Sequence, residues 1–386
     1  MKGVRLTRTL AISLAMMMVC LAALLGGWDA LASGEPSAKQ IDAIFNAVTS
    51  AREPGMAVLV RKDGKTIFER GYGLRDPRSG LPIDETTDFR LASFTKQFTA
   101  MAVMLLVHDG KLRYDEQLTD IFHEFPAYGK TISIRSLLNH TSGLVAYEDL
   151  MDKQYAGKSP EEIPQIHDAG VLALMEQQTG TKFSPGTKWE YSNSGYCVLA
   201  MVVEKVSGMR FGDFLRKRIF EPLGMNRTLA YEYGRNIVPE RAYGYTKDAG
   251  VWLETDQSPT SATLGDGGIY TNLEDLAKWD DALQNHTLLS ATEFQAAITP
   301  AGLPEDPAHP PLDADGKPSA YGFGWFLDPY EGHSRMWHTG SSIGFRTVIE
   351  RFTDDHLTII ILANRTDQEV AALALKVADL ILNPSK

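Results

Sequence analysis

The sequence predicts an α+β fold, an antiparallel sheet flanked by N- and C-terminal helices, with a mainly helical second lobe. Two hairpin patterns lie far apart in the chain, at residues 56–73 and 344–365. Between them, residues 96–264 contain mostly short helical patterns that Pro and Gly interrupt. Because sequential hairpins form antiparallel ladders, this order argues against a doubly wound parallel fold.

The elements of the N-terminal part follow from local patterns. Apolar residues recur at helical spacing over residues 39–51, which predicts a helix. The stretch "MAVLVRKDGKTIFERGYG" is two strand-like runs joined by Asp63-Gly64, a strong hairpin signal. The run after Thr95 is apolar on nearly all sides and predicts a buried helix that ends at His108-Asp109-Gly110.

The C-terminal part returns to strands. Leu273–Leu283 predicts a helix that Asn272 and Asp275 cap, and two strand-like runs then flank the polar turn at residues 353–356. An amphipathic helix is predicted over residues 367–382. We expect a sheet lobe formed by residues of about 40–95 and 265–386, a helical lobe over about 96–264, and a site in the cleft between them.

The N-terminus has the order of segments that is typical of a secretory signal. Basic residues Lys2, Arg5 and Arg8 precede an apolar stretch and the small-residue site Ala30-Leu31-Ala32. The sequence therefore predicts a signal peptide over residues 1–32 and a mature domain over 33–386, exported to the periplasm or secreted. An uncleaved anchor is the alternative, but the apolar stretch is short for a full membrane span.

Charge and cysteine content exclude several kinds of partner. Loss of residues 1–32 removes three cations and one anion, so the formal net charge changes from −11 to −13. An acidic exported protein is a poor candidate for binding nucleic acid or an anionic membrane surface. Only Cys197 remains after cleavage, which excludes an intramolecular disulfide and is typical of a small core residue.

Ser93 and Lys96 are the first candidate catalytic pair. They stand three apart at the head of the apolar helix, and hence on one helix face. A serine hydroxyl is a weak nucleophile until a base takes its proton, and a buried lysine can be that base. The unpaired N–H groups of a helix start favour a developing oxyanion. The alternative is a solvated helix start.

A second candidate is Tyr191-Ser192-Asn193. A tyrosine near a lysine can share in proton transfer, and an asparagine amide can hold a substrate carbonyl. The same spacing recurs at Tyr270-Thr271-Asn272, so the pattern is not unique, although there the asparagine has a sufficient role as a helix cap. Without a catalytic role, Tyr191 would be a half-buried loop aromatic.

The third candidate is His338-Thr339-Gly340, which leads into a strand. Its glycine would let a ligand approach the strand backbone, and His338 and Thr339 would offer hydrogen-bond donors to the substrate. The Ser341 N–H could complete an oxyanion hole with that of Ser93. The overlapping Gly-x-Ser-x-Gly pattern around Ser342 resembles a nucleophile elbow, but an elbow needs a following helix. A strand-like run follows here and few residues remain, so Ser342 is rejected as the nucleophile.

The three motifs, in this order, resemble those of the serine β-lactamase and penicillin-binding protein superfamily, including class C β-lactamases, serine DD-peptidases and family VIII carboxylesterases. The similarity spans residues of about 40–380 and includes "LLNHTSGL", "IFEPLGM" and "GDGGIYTNLEDLAKW". The resemblance implies acyl transfer through Ser93, with Lys96 and Tyr191 handling the proton. It implies that Asn193 holds the substrate amide, that Ser341 completes the oxyanion hole, and that no metal or other cofactor is needed.

One departure affects the substrate. Class C β-lactamases carry lysine where this chain has His338, and histidine is mostly neutral at pH 7. We therefore expect a hydrolase that resembles DD-carboxypeptidases or D-amino-acid peptidases, or a broad amide or ester hydrolase, with peptidoglycan-like or other D-amino-acid peptides as the leading substrates. A carboxylesterase, a class C-like β-lactamase that cleaves β-lactams, and a non-catalytic penicillin- or peptide-binding protein remain as alternatives. Arg346 is a candidate for the missing cation.

Overall fold

The computed structural model describes residues 37–303, 306–312, 314–318 and 320–383, so the predicted signal segment lies outside the described residues.

The strands of the protein are dispersed along the chain. Within the described residues the chain forms twelve strands: β1 (Met56–Lys62), β2 (Lys65–Tyr72), β3 (Leu74–Asp76), β4 (Leu81–Pro82), β5 (Phe89–Arg90), β6 (Leu229–Ala230), β7 (Tyr245–Asp248), β8 (Val251–Glu254), β9 (Ile269–Thr271), β10 (Arg335–Ser342), β11 (Phe345–Phe352) and β12 (Leu357–Ala363).

The helices fill the middle of the chain and both of its flanks. In the described residues the α-helices are α1 (Ala38–Asn46), α2 (Lys96–His108), α3 (Leu118–Ile121), α4 (Ile134–Leu138), α5 (Tyr147–Gln154), α6 (Asp168–Glu176), α7 (Asn193–Ser207), α8 (Phe211–Leu215), α9 (Glu221–Leu223), α10 (Leu273–Gln284), α11 (Ala291–Phe294) and α12 (Val370–Leu382). A 3₁₀ turn over Ala92–Thr95 directly precedes α2.

Five strands from the two ends of the chain form one antiparallel sheet, in the order β10-β11-β12-β1-β2. The first strand pairs with the last, with Met56 opposite Ala363. Both predicted hairpins are confirmed as β1–β2 and β11–β12. Asp63 (φ 51°) and Gly64 (φ 73°) both adopt the left-handed backbone that a two-residue hairpin turn requires.

The sheet separates two apolar cores. Along β1 the side chains alternate, so Val58 and Val60 pack with α1 and α12, while Ala57 and Leu59 belong to the core shared with α2 and the helical lobe. Because both faces are covered, β12 is buried at every position. The predicted α+β fold with N- and C-terminal helices against an antiparallel sheet is confirmed.

The boundaries differ from prediction at several helices. The helix predicted over residues 39–51 ends at Asn46, and that predicted over 367–382 begins only at Val370. Asn272 does cap α10, because its side chain accepts a hydrogen bond from the Asp275 N–H. The segment predicted as mainly helical also contributes β6, β7 and β8, whose short lengths give weak alternation signals.

Asn364 joins the end of β12 to three other segments. Its side chain is fully buried, and its Oδ1 accepts a hydrogen bond of 2.8 Å from the Gly55 N–H. Its Nδ2 lies within hydrogen-bond distance of the carbonyl oxygens of Leu74 (3.1 Å), Arg75 (3.2 Å) and Tyr243 (2.9 Å). One amide therefore satisfies backbone groups of β3 and of two other segments, none of which forms a regular ladder with β12.

Replacement of Asn364 by alanine should lower the free energy of unfolding by about 3 kcal/mol, because buried backbone groups lose their partners. Urea denaturation at equilibrium measures this difference. The control is Asn285→Ala at an exposed asparagine, which should change the free energy of unfolding by less than about 0.5 kcal/mol. Equal effects of the two substitutions would contradict this account of Asn364.

Candidate active site

Ser93 lies on the 3₁₀ turn between β5 and α2, and the turn is fixed from several sides. The N–H of Leu91 donates to the Ile269 carbonyl (2.8 Å), and the Ile269 N–H donates to Thr95 Oγ1 (3.3 Å). Ala92 has a φ of +50°, a left-handed conformation that costs a non-glycine residue energy. The surrounding contacts with β9 therefore hold a strained backbone next to the serine.

Lys96 is completely buried in the first turn of α2, which confirms the expected burial. Its Nζ lies 3.2 Å from Ser93 Oγ, 2.8 Å from Asn193 Oδ1 and 3.0 Å from the carbonyl oxygen of Asp266. These three contacts account for all three N–H donors of an ammonium group. Lysine is among the residues least often buried, so this placement distinguishes Lys96 from the solvated helix start that was the alternative.

Tyr191 contacts Lys96 through its ring. The Lys96 Nζ lies 4.9 Å from the centroid of the Tyr191 ring, a distance typical of a cation–π contact. The Tyr191 hydroxyl is buried and has no hydrogen-bond partner among the described residues. The structure thus brings the predicted residues together, but no hydrogen bond joins the hydroxyl to the lysine. The proton-handling role of Tyr191 stays a prediction.

His140 holds the segment that carries Tyr191. The Ser192 N–H donates to His140 Nδ1 (3.1 Å), the Glu190 N–H donates to the His140 carbonyl (3.0 Å), and the His140 and Tyr191 rings lie 4.3 Å apart. Burial, and then the charge of Lys96, keep the pKa of His140 well below its usual range, so the ring is a neutral acceptor. Sequence reasoning noted the "LLNHTSGL" stretch but assigned this residue no role.

Asn193, the first residue of α7, lines the cleft beside Ser93 and is bonded at both ends of its amide. Its Oδ1 accepts from Lys96, and its Nδ2 donates to Glu148 Oε1 at 2.7 Å. It therefore links the lysine to a carboxyl group that sequence reasoning missed. The predicted contact between Asn193 and a substrate amide remains a prediction.

His338 is buried and has a partner at each ring nitrogen, and its predicted contact with the substrate stays a prediction. It is 1% exposed, its Nδ1 lies 2.6 Å from the Thr339 carbonyl, and its Nε2 lies 3.0 Å from the Tyr321 hydroxyl. Burial, together with the charge of Lys96, lowers the pKa of His338 to about 3, so the ring stays neutral. Both ring nitrogens are engaged inside the protein, behind the cleft rather than in it.

Gly340 allows β10 to approach the segment that leads to Ser93. A Cβ atom there would lie 2.0 Å from the Leu91 carbonyl oxygen and 2.2 Å from Thr347 Oγ1, which itself donates to that carbonyl (2.7 Å). This contact gives a structural reason for the glycine, and the predicted approach of a ligand there stays a prediction. Thr339 is half-buried on β10, while Ser341 is exposed and lines the cleft.

The cleft encloses about 460 Å³ of space that is open to solvent. Besides the predicted Ser93, Asn193 and Ser341, its walls include charged and hydroxyl side chains that sequence reasoning did not assign: Arg90, Tyr147, Glu148, Ser258, Thr260, Ser261, Thr263 and Asp266. Most of them belong to the segment between β8 and β9, whereas Tyr147 and Glu148 begin α5 and Arg90 ends β5. Their proximity to Ser93 arises only from tertiary folding.

Two further expectations concern the β10–β11 turn. Arg346 Nη1 donates to the carbonyl oxygens of Ser342 (2.8 Å) and Phe345 (2.9 Å), and Arg346 stands opposite Ser341 in the β10–β11 ladder. Its role as the missing cation stays a prediction. A strand and not a helix follows Ser342, which agrees with its rejection as the nucleophile of an elbow. The rejected residue remains a minor part of the cleft wall.

Neither a metal centre nor a membrane-spanning helix occurs in the part of the chain that the structure describes. Among those residues no three His, Cys, Asp or Glu side chains are grouped so that they could hold a metal ion. The helices described are all too short or too polar to cross a bilayer.

Gly340→Ala should displace the Ser93 turn, because the added methyl group overlaps the Leu91 carbonyl. We expect a loss of about 1–3 kcal/mol in the free energy of unfolding and slower acylation of Ser93 by a penicillin, followed by intact mass. Gly180→Ala is the control, since a Cβ there meets open space. Unaltered acylation in a destabilised Gly340→Ala protein would contradict the proposed coupling between β10 and Ser93.

Two substitutions distinguish the contribution of the His140 Nδ1 acceptor from that of the aromatic ring. His140→Asn keeps an acceptor near the Nδ1 position and tolerates the left-handed backbone (φ 63°), whereas His140→Phe keeps only a ring. If the acceptor positions Tyr191, a penicillin should acylate His140→Phe about 10–100-fold more slowly than wild type. His140→Asn should recover most of this loss of rate. Acylation rates and melting temperatures measure the effect, and equal rates in the two variants would contradict it.

Comparison with known proteins places this geometry in a family. The β-lactamase family model matches residues 41–382. Penicillin-binding protein 4* of Bacillus subtilis (strain 168) is 32% identical over 361 residues, which cover 89% of this chain and 76% of that protein. A D-aminopeptidase of Brucella anthropi is 29% identical over 81% of this chain, which spans only 56% of that relative.

Similarity to solved structures supports the same family assignment. The D-amino acid amidase from Ochrobactrum anthropi SV3, solved with L-phenylalanine amide, has a TM-score of 0.72 and 26% identity, covering 90% of this chain and 98% of its own. The family model spans nearly the whole described chain, and the structural match extends over the sheet and the helical lobe. The chain belongs to the β-lactamase family of serine hydrolases.

Proposed function

We propose that the protein is an exported serine amidohydrolase that forms an acyl-enzyme on Ser93 and releases D-amino acids from small amides or peptides. The observation that carries this proposal is the contact between the buried Lys96 Nζ and Ser93 Oγ, at 3.2 Å. A serine held against a buried amine is the arrangement that nucleophilic acyl transfer requires.

The two other contacts of Lys96 support its role as the base. An uncharged amine has two N–H donors and one lone pair. Asn193 Oδ1 and the Asp266 carbonyl oxygen, at 2.8 and 3.0 Å, are both acceptors and can take those two donors. The remaining lone pair is then directed at Ser93 Oγ, where it can accept the hydroxyl proton. Removal of either acceptor would leave the direction of the lone pair undefined.

The proposed reaction has two stages. Ser93 Oγ attacks the substrate carbonyl while its proton moves to Lys96 Nζ, and the N–H groups of Ser93 and Ser341 stabilise the oxyanion. The proton then passes, with help from the Tyr191 hydroxyl, to the leaving amine as the C–N bond breaks. Water attacks the resulting ester, gives one proton back through Lys96 to Ser93, and releases the acid.

The substrate class is proposed from the relatives and from the site. A D-aminopeptidase and a D-amino acid amidase are among the similar proteins. His338 supplies no cation for a substrate carboxylate, because it is neutral and buried. Amide substrates without a C-terminal carboxylate therefore fit this cleft better than DD-carboxypeptidase substrates.

Ser93→Ala should abolish hydrolysis of D-phenylalanine p-nitroanilide, because the nucleophile is removed. Release of p-nitroaniline measures turnover, and intact mass after brief incubation with a penicillin detects an adduct on wild type alone. Ser50→Ala, at an exposed serine remote from the cleft, is the matched control.

The same assays distinguish the proposed amidohydrolase from a β-lactamase, an esterase and a binding protein. Rapid destruction of the penicillin that depends on Ser93 would make the protein a β-lactamase, and turnover of p-nitrophenyl acetate without any amide hydrolysis would make it an esterase. Binding of penicillin with no covalent adduct and no turnover of any substrate would leave only a binding protein. Amide hydrolysis that survives Ser93→Ala would overturn the proposed mechanism.

A further inference from the structure

Asp168 is a buried carboxyl group that is bonded to the segment between β8 and β9. It is the first residue of α6 and is 6% exposed. Its Oδ2 accepts a hydrogen bond from the Leu264 N–H at 2.8 Å, and its Oδ1 accepts one from the Gly265 N–H at 3.0 Å. Both carboxylate oxygens are therefore engaged by consecutive backbone N–H groups of that segment.

The next residue of the same segment supplies a partner of Lys96. The carbonyl oxygen of Asp266 lies 3.0 Å from the Lys96 Nζ. Because Asp266 directly follows Gly265 in the chain, a shift of the Gly265 backbone would move the carbonyl oxygen that the lysine contacts. Asp168 is thus connected to the amine through a few backbone bonds, although the two side chains belong to different helices.

Two other helices hold the segment from other sides. The Thr99 hydroxyl, one turn beyond Lys96 in α2, donates to the Gly265 carbonyl at 2.6 Å. A Cβ atom at Gly265 would lie 2.3 Å from the Tyr196 carbonyl oxygen, so α7 packs directly against the segment. Helices α2, α6 and α7 therefore enclose this stretch of backbone, and the contact from α6 is the one that an ionisable group makes.

The geometry fits the ionised form of Asp168. A carboxylate accepts at both oxygens, whereas a protonated carboxyl group has to place its O–H beside one of the two N–H donors. Burial, and then the negative charge of Asp266, raise the pKa of Asp168 to about 7, while the N–H groups of Leu264 and Gly265 and the side chain of Cys197 act in the opposite direction. The carboxyl group is therefore mostly ionised above this pH and mostly protonated below it.

We propose that Asp168 is a positioning residue for the acylation of Ser93. By fixing two N–H groups of the segment, it holds the Asp266 carbonyl oxygen where that oxygen directs Lys96 towards the nucleophile. This inference rests on the proposed function and goes beyond it, because Asp168 is not among the residues that line the cleft. The proposed mechanism needs the lone pair of Lys96 to point at Ser93 Oγ, and the Asp266 carbonyl is one of the two acceptors that set this direction.

The test compares acylation by a penicillin in wild type and in Asp168→Asn. Asparagine keeps one oxygen but places an N–H₂ group against the second backbone donor. The first-order rate constant at saturating penicillin, followed by intact mass, should fall about 10- to 100-fold, as expected when a reacting group loses its orientation. The penicillin concentration that gives half of the maximal rate should stay within about threefold. If no adduct accumulates, kcat and KM for p-nitrophenyl acetate or D-phenylalanine p-nitroanilide provide the same comparison.

A pH profile distinguishes an ionised carboxyl group from a side chain that only fills space. Asparagine resembles the protonated acid, so the ratio of the wild-type to the variant rate constant should be greatest at about pH 8.5 and approach unity by about pH 5.5, on either side of the Asp168 pKa. The other ionisable groups of the site are common to both proteins, so a change in this ratio reports on Asp168.

Met175→Ala is the matched control. Met175 is fully buried in the same helix, about 10 Å further along its axis, so its truncation loosens the packing of α6 without removing the carboxyl group. This variant should lower the melting temperature but leave the rate constant of acylation within about threefold of wild type. If Asp168→Asn fails to fold, as judged by its thermal transition, Thr99→Val tests the same positioning from α2. It removes the hydroxyl that bonds to the Gly265 carbonyl and should also slow acylation.

An unchanged rate constant in a folded Asp168→Asn protein would overturn this role, as would a ratio that is the same at both pH values. Equal slowing by Met175→Ala would overturn it too, since the effect would then come from a loosened helix. In each of these cases the reaction would still depend on Ser93, so the proposed function would stand. A reaction that persists in Ser93→Ala would instead remove the proposed function itself.

Discussion

The site depends on burial of one amine. Lys96 is fully enclosed, and folding must supply partners for every one of its donors, since a lysine deprived of both water and hydrogen bonds would destabilise the protein severely. The partners come from three separate places: the turn before α2, the first residue of α7 and the backbone before β9. Positions that are remote in sequence are therefore fixed to one another through this nitrogen.

The same constraint explains the surrounding aromatic residues. Tyr191 and Tyr196 place ring faces 4.9 and 5.4 Å from the Lys96 Nζ, and His140 packs against both rings. The rings pack against the amine and exclude water, whereas a carboxylate in the same place would form an ion pair with the lysine. The acidic groups Glu148 and Asp266 are instead kept one residue away, on the cleft side of Asn193.

Much of the fold follows from local patterns, while much of the site does not. Asp63-Gly64, the apolar run after Thr95 and the cap at Asn272 each act within a few residues, so the hairpin and the two helices could be predicted. Ser93 and Lys96 were recognisable for the same reason. The contributions of His140, Glu148 and Asp266 depend on packing between elements, which no single stretch of sequence encodes.

The residues of β10 show how a predicted ligand contact and a contact within the protein can share the same residue types. Gly340 and His338 were expected to serve a ligand, because glycine allows close approach to a strand and histidine offers a donor. In the structure one is needed for contact with the Leu91 carbonyl, and the other is bonded to Tyr321 and to its own neighbour. A residue type indicates which contacts are chemically available, but only the fold decides whether a ligand or the protein makes them.

The bond between Thr347 and the Leu91 carbonyl has a consequence for biosynthesis, because its partners are 256 residues apart. At about 5–20 residues per second, a ribosome needs on the order of 10–50 s to make the intervening chain. During that interval the strand that fixes the nucleophile turn does not exist. A nascent chain therefore carries Ser93 and Lys96 long before β11 can be placed against the turn that holds them.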